Sequence, residues 1–358
     1  MDTTLCGLSA FQFHRIPPVV RACIDGELDL TTHRGRYLLG RQDRFLGYLT
    51  LPLTLLVQDQ LQRHSADSVV FKYWNGDLPF GAKMDVESGF CVTDPLFTLA
   101  ILARDLNDYE LMMAMYELCG RFSCIDVTGE HLERVEELRN TSGLTDGSGW
   151  SAVRDARSGR TTGLWMRDPL VDIDELKLYG KKSLSGHNGS KKFARCANRI
   201  LGILDSPLEV RAVMALGLPR VLGGEGYRLK LNKEIAFTGR AQKLTKAAYA
   251  KPDILIEGFE GAPRLIIECQ GRSVHGERGI NESDSERINA LKMMDCNVLT
   301  LTHDHLATQQ GYEAFMELVG KEVGRARRPK SDGMLQAEKE LRKAILADWS
   351  SLGIKSCA

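Results

Sequence analysis

The sequence predicts an α/β domain in the C-terminal half of the chain, preceded by an α+β domain. Residues 196–320 alternate in the order helix, three strands, helix, strand. Residues 1–140 instead alternate apolar runs with turn signals and then end in a helical pair. Segments rich in glycine and serine separate the halves, so residues 141–195 are predicted to be a linker with helices. Residues 321–358 are predicted to be a basic helical tail.

Local signals place the first elements along the chain. The β-branched and aromatic run Val69–Tyr73 predicts a strand, and the following Asn75-Gly76-Asp77 predicts a turn. Asp94 can cap a helix that has Pro95 at its first position. A second helix, YELMMAMYELC, follows, with Gly120 where a C-terminal glycine cap belongs. This half is therefore predicted to be an α+β domain that ends in a pair of helices.

The C-terminal half begins with the pattern Ser206-Pro207-Leu208-Glu209, which predicts a helix that runs to about Leu216. Strands are predicted near 227–237, in KPDILIEGF and in the strongly apolar RLIIECQG. The segment SDSERINALKMMDC predicts a helix, and NVLTLT a final strand.

Composition limits the classes of protein. Hydrophobic residues make up 43% of the 358 residues and charged residues 26%, which is typical of a globular protein with real cores. Acidic and basic residues number 47 each, so any basic surface has to be local. The nine scattered cysteines predict reduced thiols.

The most apolar stretch, residues 48–61, is too short for a membrane span, and no signal peptide is recognised. We therefore expect a cytoplasmic protein without membrane attachment.

Two carboxylates carry the chemistry that the sequence suggests. Asp253 opens one predicted strand, and Glu268 stands near the end of the next, across a tight turn. Adjacent antiparallel strands can bring these carboxylates together, where they repel unless a cation lies between them. Carboxylate oxygens favour Mg²⁺, which can stabilise phosphoryl charge and activate water.

The order of these residues resembles that of the PD-(D/E)XK nucleases, in which an acidic residue on one strand precedes an E-x-K element on the next. This chain has Asp253 and Glu268, with Gln270 at the usual lysine position. The wider pattern is similar to domains of very-short-patch-repair endonucleases, which add an early helix with Glu, a Gly-His segment and an Asp-x-x-Arg helix start. The corresponding residues here are Glu209, Gly271 to His275, Asp284 and Arg287.

The resemblance implies a restriction-endonuclease-like fold over about 120 residues and a role for each residue. Asp253 and Glu268 would bind Mg²⁺ (or Mn²⁺), and Gln270 would orient water or contact phosphate. His275 could activate water or protonate a leaving oxygen. Glu209 could support or bind the metal, and Arg287 could hold a phosphate, with Asp284 beside it.

Structural alternatives stand beside these roles. Glu209 also completes a capping box with Ser206, and Asp284 suits the first turn of a helix. Asp253 could simply open a strand, His275 could be solvated, and Arg287 could pair with Asp284 or Glu268. Two sets of basic residues could contact phosphate or simply be solvated: Lys233, Arg240, Lys243, Lys246 and Lys251, and Arg325, Arg327, Arg328 and Lys330.

The N-terminal half carries a second likeness. Residues 92–122, VTDPLFTLAILARDLNDYELMMAMYELCGRF, resemble a stretch of antitoxin-like proteins from abortive-infection toxin–antitoxin systems. This likeness implies a place in prokaryotic defence.

The predicted function is a metal-dependent DNA endonuclease or nickase, with nucleic acid as its partner. Glutamine at position 270 cannot supply the positive charge of lysine. The competing hypothesis is therefore a non-catalytic DNA-binding regulator, or an antitoxin-type protein, that retains a nuclease fold.

Overall fold

The computed structural model describes residues 4–22, 48–60, 68–86, 90–127, 129, 131–133, 136–137, 149–155, 158–184, 186–271, 282–326 and 328–354. The chain divides into two compact units. The first comprises Met1–Ala152, Gly163–Ile200 and Trp349–Ala358, and the second comprises Val153–Thr162 and Leu201–Asp348. Residues 163–195 of the expected linker thus group with the first unit, as do residues 196–200, which were expected to open the C-terminal domain. Residues 321–348 of the expected tail group with the second unit.

A five-stranded mixed sheet organises the first unit. Its central strand β1 (Thr4–Leu5) lies between β2 (Leu53–Val57) and β5 (Phe90–Thr93), and β3 (Val69–Tyr73) and β4 (Lys83–Val86) form the edges. β1 runs antiparallel to β2 and parallel to β5. The strand predicted over Val69–Tyr73 is confirmed with the same bounds.

The remaining elements of this part of the chain are mostly helical. They are α1 (Gly7–Arg15), α2 (Pro18–Ala22), α3 (Pro95–Leu102), α4 (Asp108–Cys119), β6 (Phe122–Cys124), β7 (Ser151–Arg154), β8 (Thr161–Met166), α5 (Ile173–Lys182) and α6 (Ser190–Ala197). The last three strands form a small sheet of order β6-β8-β7.

Helix caps explain where α3 and α4 begin, and the cap of α3 was predicted from the sequence. The Asp94 carboxylate accepts hydrogen bonds from the N–H groups of Leu96 and Phe97, as a helix N-cap should. Asn107 caps α4 in a full capping box with Glu110. Gly120 does follow α4, but its φ of −87° is extended, so the cap does not depend on a left-handed glycine.

A buried ion pair joins distant segments of the first unit. The Glu117 side chain is 0% exposed and accepts Nε and Nη2 of Arg15 at 2.9 and 2.6 Å. Trp349 Nε1 donates to the same carboxylate at 2.7 Å, and the N–H of Cys124 donates at 3.1 Å. The four donors satisfy a charge that would otherwise be costly to bury.

The second unit is built on a four-stranded sheet of order β14-β13-β12-β9. Its elements are α7 (Pro207–Gly217), β9 (Leu229–Leu231), β10 (Ile235–Ala236), β11 (Tyr249–Ala250), β12 (Ile254–Ile256), β13 (Arg264–Gln270), α8 (Glu282–Met293), β14 (Cys296–Thr302), α9 (His303–Ala307), α10 (Gln309–Glu322) and α11 (Asp332–Leu346). β12 runs antiparallel to both β9 and β13, whereas β13 and β14 are parallel. Helix α7 packs on β13, and α8 packs on β14.

The helix, strands, helix and final strand predicted for the second unit are observed in that order, but five strands instead of three lie between α7 and α8. The strand expected over 227–237 is two strands, β9 and β10, because Asn232 adopts a positive φ of 50° between them. β10 leaves the main sheet and pairs with β11. A mixed α/β arrangement is therefore present in the C-terminal half.

Lys330 was expected either to contact phosphate or to be solvated, and the structure contradicts both alternatives for this residue. The Lys330 side chain is only 4% exposed, and its Nζ lies 2.8 Å from Oε1 of Glu225 and also contacts the Glu338 carboxylate. Both carboxylates are buried, so Lys330 neutralises charge inside the unit and does not offer it to a ligand. No helix in the described part of the chain combines the length and apolarity needed to cross a membrane.

Candidate functional site

The candidate site lies where β12 begins and β13 ends. Ile254 pairs with Ile267 in the antiparallel ladder, so continuing the register by one residue sets Asp253 opposite Glu268. Side chains of directly opposed residues have Cβ atoms about 4.5–5.5 Å apart. The strand–turn–strand segment predicted from the sequence thus brings the two predicted carboxylates to neighbouring positions.

The main chain of β13 holds the Asp253 carboxylate in place. Its Oδ2 accepts the N–H of Cys269 at 2.7 Å, and its own carbonyl accepts the N–H of Asn232 at 3.3 Å. Hydrogen bonds to a carboxylate favour its ionised form. The sequence could not reveal these donors, because a backbone N–H leaves no mark in residue type.

Glu268 and Gln270 share one face of β13, as alternation along a strand requires. Glu268 is partly buried and lies opposite Thr300 of the parallel strand β14, whereas Gln270 is exposed and lies opposite Thr302. Gln270 therefore lies on the same side of the sheet edge as Glu268, with its amide open to solvent.

Glu209 approaches from the first turn of α7. Its Oε2 accepts the N–H of Asp205 at 2.9 Å, and its Oε1 accepts the Ser206 hydroxyl at 2.8 Å. The Ser206 oxygen in turn accepts the Glu209 N–H at 3.3 Å, which confirms that Ser206 caps the helix. Burial raises the pKa of Glu209 to about 7, and the negative charge of Asp253 contributes to the increase.

The pKa of the Cys269 thiol reflects the negative charges around it. Burial first, and then the negative charges of Asp253, Glu209 and Glu268, raise the pKa of its thiol well above the ordinary value. Three carboxylates are thus close enough to act on one side chain. The thiol therefore stays protonated, and a protonated thiol is a poor nucleophile and a poor metal ligand.

Arg287 in α8 supplies positive charge at the same edge. Its Nη1 lies 3.2 Å from Oε1 of Glu268, and both side chains are partly buried. Of the alternatives that the sequence left open, pairing of Arg287 with Glu268 is the one observed. The guanidinium partly neutralises a carboxylate that would otherwise repel Asp253.

The side chains of the site offer only some of the ligands that a hard cation such as Mg²⁺ needs. Within the described ranges no group of three or more His, Cys, Asp or Glu side chains is arranged to hold a metal ion. Asp253 and Glu268 nevertheless offer carboxylate oxygens on neighbouring strands. Mg²⁺ is commonly held by one or two carboxylates, with water and substrate phosphate completing the shell. The described residues fit this mode of binding, in which the protein supplies two carboxylates, and they do not form a site with three or more protein ligands.

Two predicted site residues are not placed. His275 lies outside the described residues. Asp284 belongs to α8, but its side chain is also outside the described part of the molecule.

The fold adds a histidine at this edge that was not anticipated. His303 directly follows Thr302, which pairs with Gln270, and its Nδ1 lies 3.7 Å from Oδ1 of Asp304. The signal in the sequence was the T-H-D-H run after a β-branched strand, since ends of parallel strands meet at one edge.

Comparison with known proteins found no match for this chain among protein-family models, curated proteins or solved structures.

Proposed function

We propose that the second unit is a Mg²⁺- or Mn²⁺-dependent endonuclease or nickase that hydrolyses phosphodiester bonds in DNA. The observation that carries this proposal is the register of β12 and β13, which sets Asp253 opposite Glu268 at the end of the sheet. The strand–turn–strand setting, the acidic pair and the nearby Glu209 agree with the pattern of restriction-endonuclease-like domains.

Asp253 and Glu268 would hold the cation. When bound, Mg²⁺ supplies positive charge that stabilises the phosphoryl group and lowers the pKa of water. The Cys269 N–H fixes the Asp253 carboxylate, which limits the rearrangement needed for binding.

Other residues of the chain would orient the substrate and handle protons. Gln270, exposed beside Glu268, could donate its amide hydrogens to a phosphate oxygen or align a water. Arg287 could exchange its contact with Glu268 for a planar contact to phosphate. With its pKa raised to about 7, Glu209 is partly protonated near neutral pH, which suits a group that accepts and releases a proton.

A specific observation favours the second candidate, a DNA-binding regulator without catalysis. Arg287 already places a cation 3.2 Å from Glu268, and Gln270 brings no positive charge. A guanidinium that neutralises the acidic pair would stabilise the fold without a metal.

A plasmid assay distinguishes DNA hydrolysis from DNA binding without catalysis. Purified full-length protein is incubated with supercoiled DNA and Mg²⁺, Mn²⁺ or chelator, beside the Asp253→Asn and Glu268→Gln variants. The control is Glu257→Gln, because Glu257 lies just beyond the other end of β12 and is exposed in an ion pair with Lys230.

Metal-dependent nicking that both site variants abolish and the Glu257 variant retains would support hydrolysis. An intact plasmid under every condition, together with a gel shift that survives both substitutions, would favour the regulator. The place of the protein in prokaryotic defence stays a prediction that rests on residues 92–122.

A further inference from the structure

The neutral chain concentrates positive charge in one segment of the second unit. We call residues 233–251 the basic hairpin. It carries one carboxylate, Glu234, against five cationic residues, so its net charge is about +4 at neutral pH. The five cations are Lys233, Arg240, Lys243, Lys246 and Lys251.

Both ends of the basic hairpin adjoin the candidate site. It begins directly after Asn232, whose N–H donates to the Asp253 carbonyl at 3.3 Å. It ends at Lys251, two residues before Asp253. Between these ends β10 pairs with β11, with Ile235 opposite Ala250. The segment therefore leaves the sheet and returns to it beside the same carboxylate.

Apolar packing fixes the basic hairpin on the body of the unit. Ile235, Phe237 and Ala241 are buried in a cluster with Ile266 of β13 and Leu291 of α8. The Gln242 side chain donates to the Ala247 carbonyl at 3.1 Å, which closes the turn before β11. This packing anchors the backbone that carries the five cations.

The five cationic side chains are exposed, and within the described residues none of them forms an ion pair. Lys230, in the neighbouring β9, behaves differently and pairs with Glu257. A cluster of unpaired cations repels itself and gains most from a polyanion.

An exposed aromatic ring lies among these cations. Tyr249 is 51% exposed although it belongs to β11, and the buried Ala250 separates it from Lys251. Tyr249 and Lys251 are both exposed, on either side of the buried Ala250. Lysines interleaved with an exposed ring suit a nucleic acid, which offers both phosphates and bases, better than an acidic peptide or an anionic lipid surface.

We propose that the basic hairpin binds the phosphate backbone of the nucleic acid, independently of base sequence, and positions it at Asp253 and Glu268. The positioning rests on the proposed function, whereas the binding itself needs no metal and no catalysis. Phosphate contacts fix the register of a nucleic acid but carry no sequence information.

The test compares two triple variants of the full-length protein. Lys233→Gln, Lys243→Gln and Lys246→Gln remove three charges from the basic hairpin. The matched control, Lys321→Gln, Lys339→Gln and Lys343→Gln, removes three lysines from α10 and α11. Binding to a short fluorescent duplex, and to its single strand, is measured in chelator over a range of salt concentrations.

Each lysine that contacts phosphate contributes about 0.9 to the salt slope for duplex DNA and about 0.7 for a single strand. The hairpin variant should therefore lose about 3 from the slope for the duplex and about 2 for the single strand. The control variant should match the wild type, and triple replacement by arginine in the hairpin should retain binding.

The outcomes distinguish this inference from the proposed hydrolysis. Equal binding by the two glutamine variants would overturn the role of the basic hairpin, even if the wild type cuts DNA. The role is likewise overturned if the wild type binds neither probe, or if polyglutamate or anionic vesicles compete as well as DNA does. Hairpin-dependent binding by a protein that never cuts would support the hairpin and refute the hydrolysis.

Discussion

Replacing Glu209 with glutamine tests whether a buried carboxyl beside the acidic pair titrates near neutral pH. The residue is 7% exposed, and burial, followed by the charge of Asp253, raises its pKa from an ordinary 4.5 to about 7. Hydrogen bonds from the Asp205 N–H and the Ser206 hydroxyl favour the ionised form, but they only offset part of the increase.

The sign of the pH effect follows from proton binding. Between pH 4.5 and about 7 the folded chain keeps a proton on Glu209 that the unfolded chain has released. The free energy of unfolding therefore falls as pH rises through this window. The difference of about 2.5 pKa units corresponds to roughly 3 kcal/mol, at about 1.36 kcal/mol for each unit. Glutamine does not titrate, so the Glu209→Gln variant should lack this decline.

The assay has to report on the second unit alone. The four tryptophans, Trp74, Trp150, Trp165 and Trp349, all belong to the first unit, so tryptophan fluorescence is unsuitable. Hydrogen exchange of the β13 amides gives the unfolding free energy locally, and comparing both proteins at the same pH cancels the intrinsic exchange rates. Carbon NMR of the Glu209 carboxyl gives the titration midpoint directly.

We expect the stability of the wild type relative to Glu209→Gln to fall by about 3 kcal/mol between pH 4.5 and pH 7. Glu317→Gln, at an exposed position of α10, controls for the loss of a carboxylate from this unit. A difference that stays constant over this range, or a carboxyl that titrates near pH 4.5, would refute the reasoning.

Two further predictions concern buried charges. Arg15→Met should destabilise the first unit by about 3–5 kcal/mol, because it leaves the fully buried Glu117 without its cation. Lys72→Met, which breaks a more exposed pair, should cost about 1 kcal/mol or less, and urea unfolding followed by tryptophan fluorescence compares the two. If they cost the same, burial is not what makes the first pair important. Lys330→Met should likewise cost about 3–5 kcal/mol, because two buried carboxylates lose their shared cation. Hydrogen exchange in α11 measures this loss, and unchanged protection there would contradict it.

Elements with local signals could be predicted from the sequence. Asp94 and Pro95 mark the start of α3 by chemistry that acts within one turn, and β3 has a β-branched and aromatic composition with a turn after it. The antiparallel pairing of β12 with β13 was also predictable, since only residues 257–263 separate the two apolar runs.

Features that depend on distant residues could not be predicted. No residue close to Lys330 in the sequence indicates that its side chain will pair with Glu225, which lies 105 residues earlier. Similarly, Glu117 looks like one polar residue in an apolar helix until Arg15 and Trp349 are in place. The positive φ of Asn232, which splits the expected strand, occurs together with a hydrogen bond from its N–H to the distant Asp253 carbonyl.

Because the ribosome synthesises the chain from its N-terminus, the hydrogen bonds to the Glu117 carboxylate cannot all form at the same time. Trp349 follows Glu117 by 232 residues, and residues 201–348 of the second unit are made in between. At about 5–20 residues per second this interval lasts on the order of ten to fifty seconds. During that time the nascent first unit has Arg15 but not the indole N–H. We therefore expect the first unit to reach its full stability only after the whole of the second unit has been synthesised.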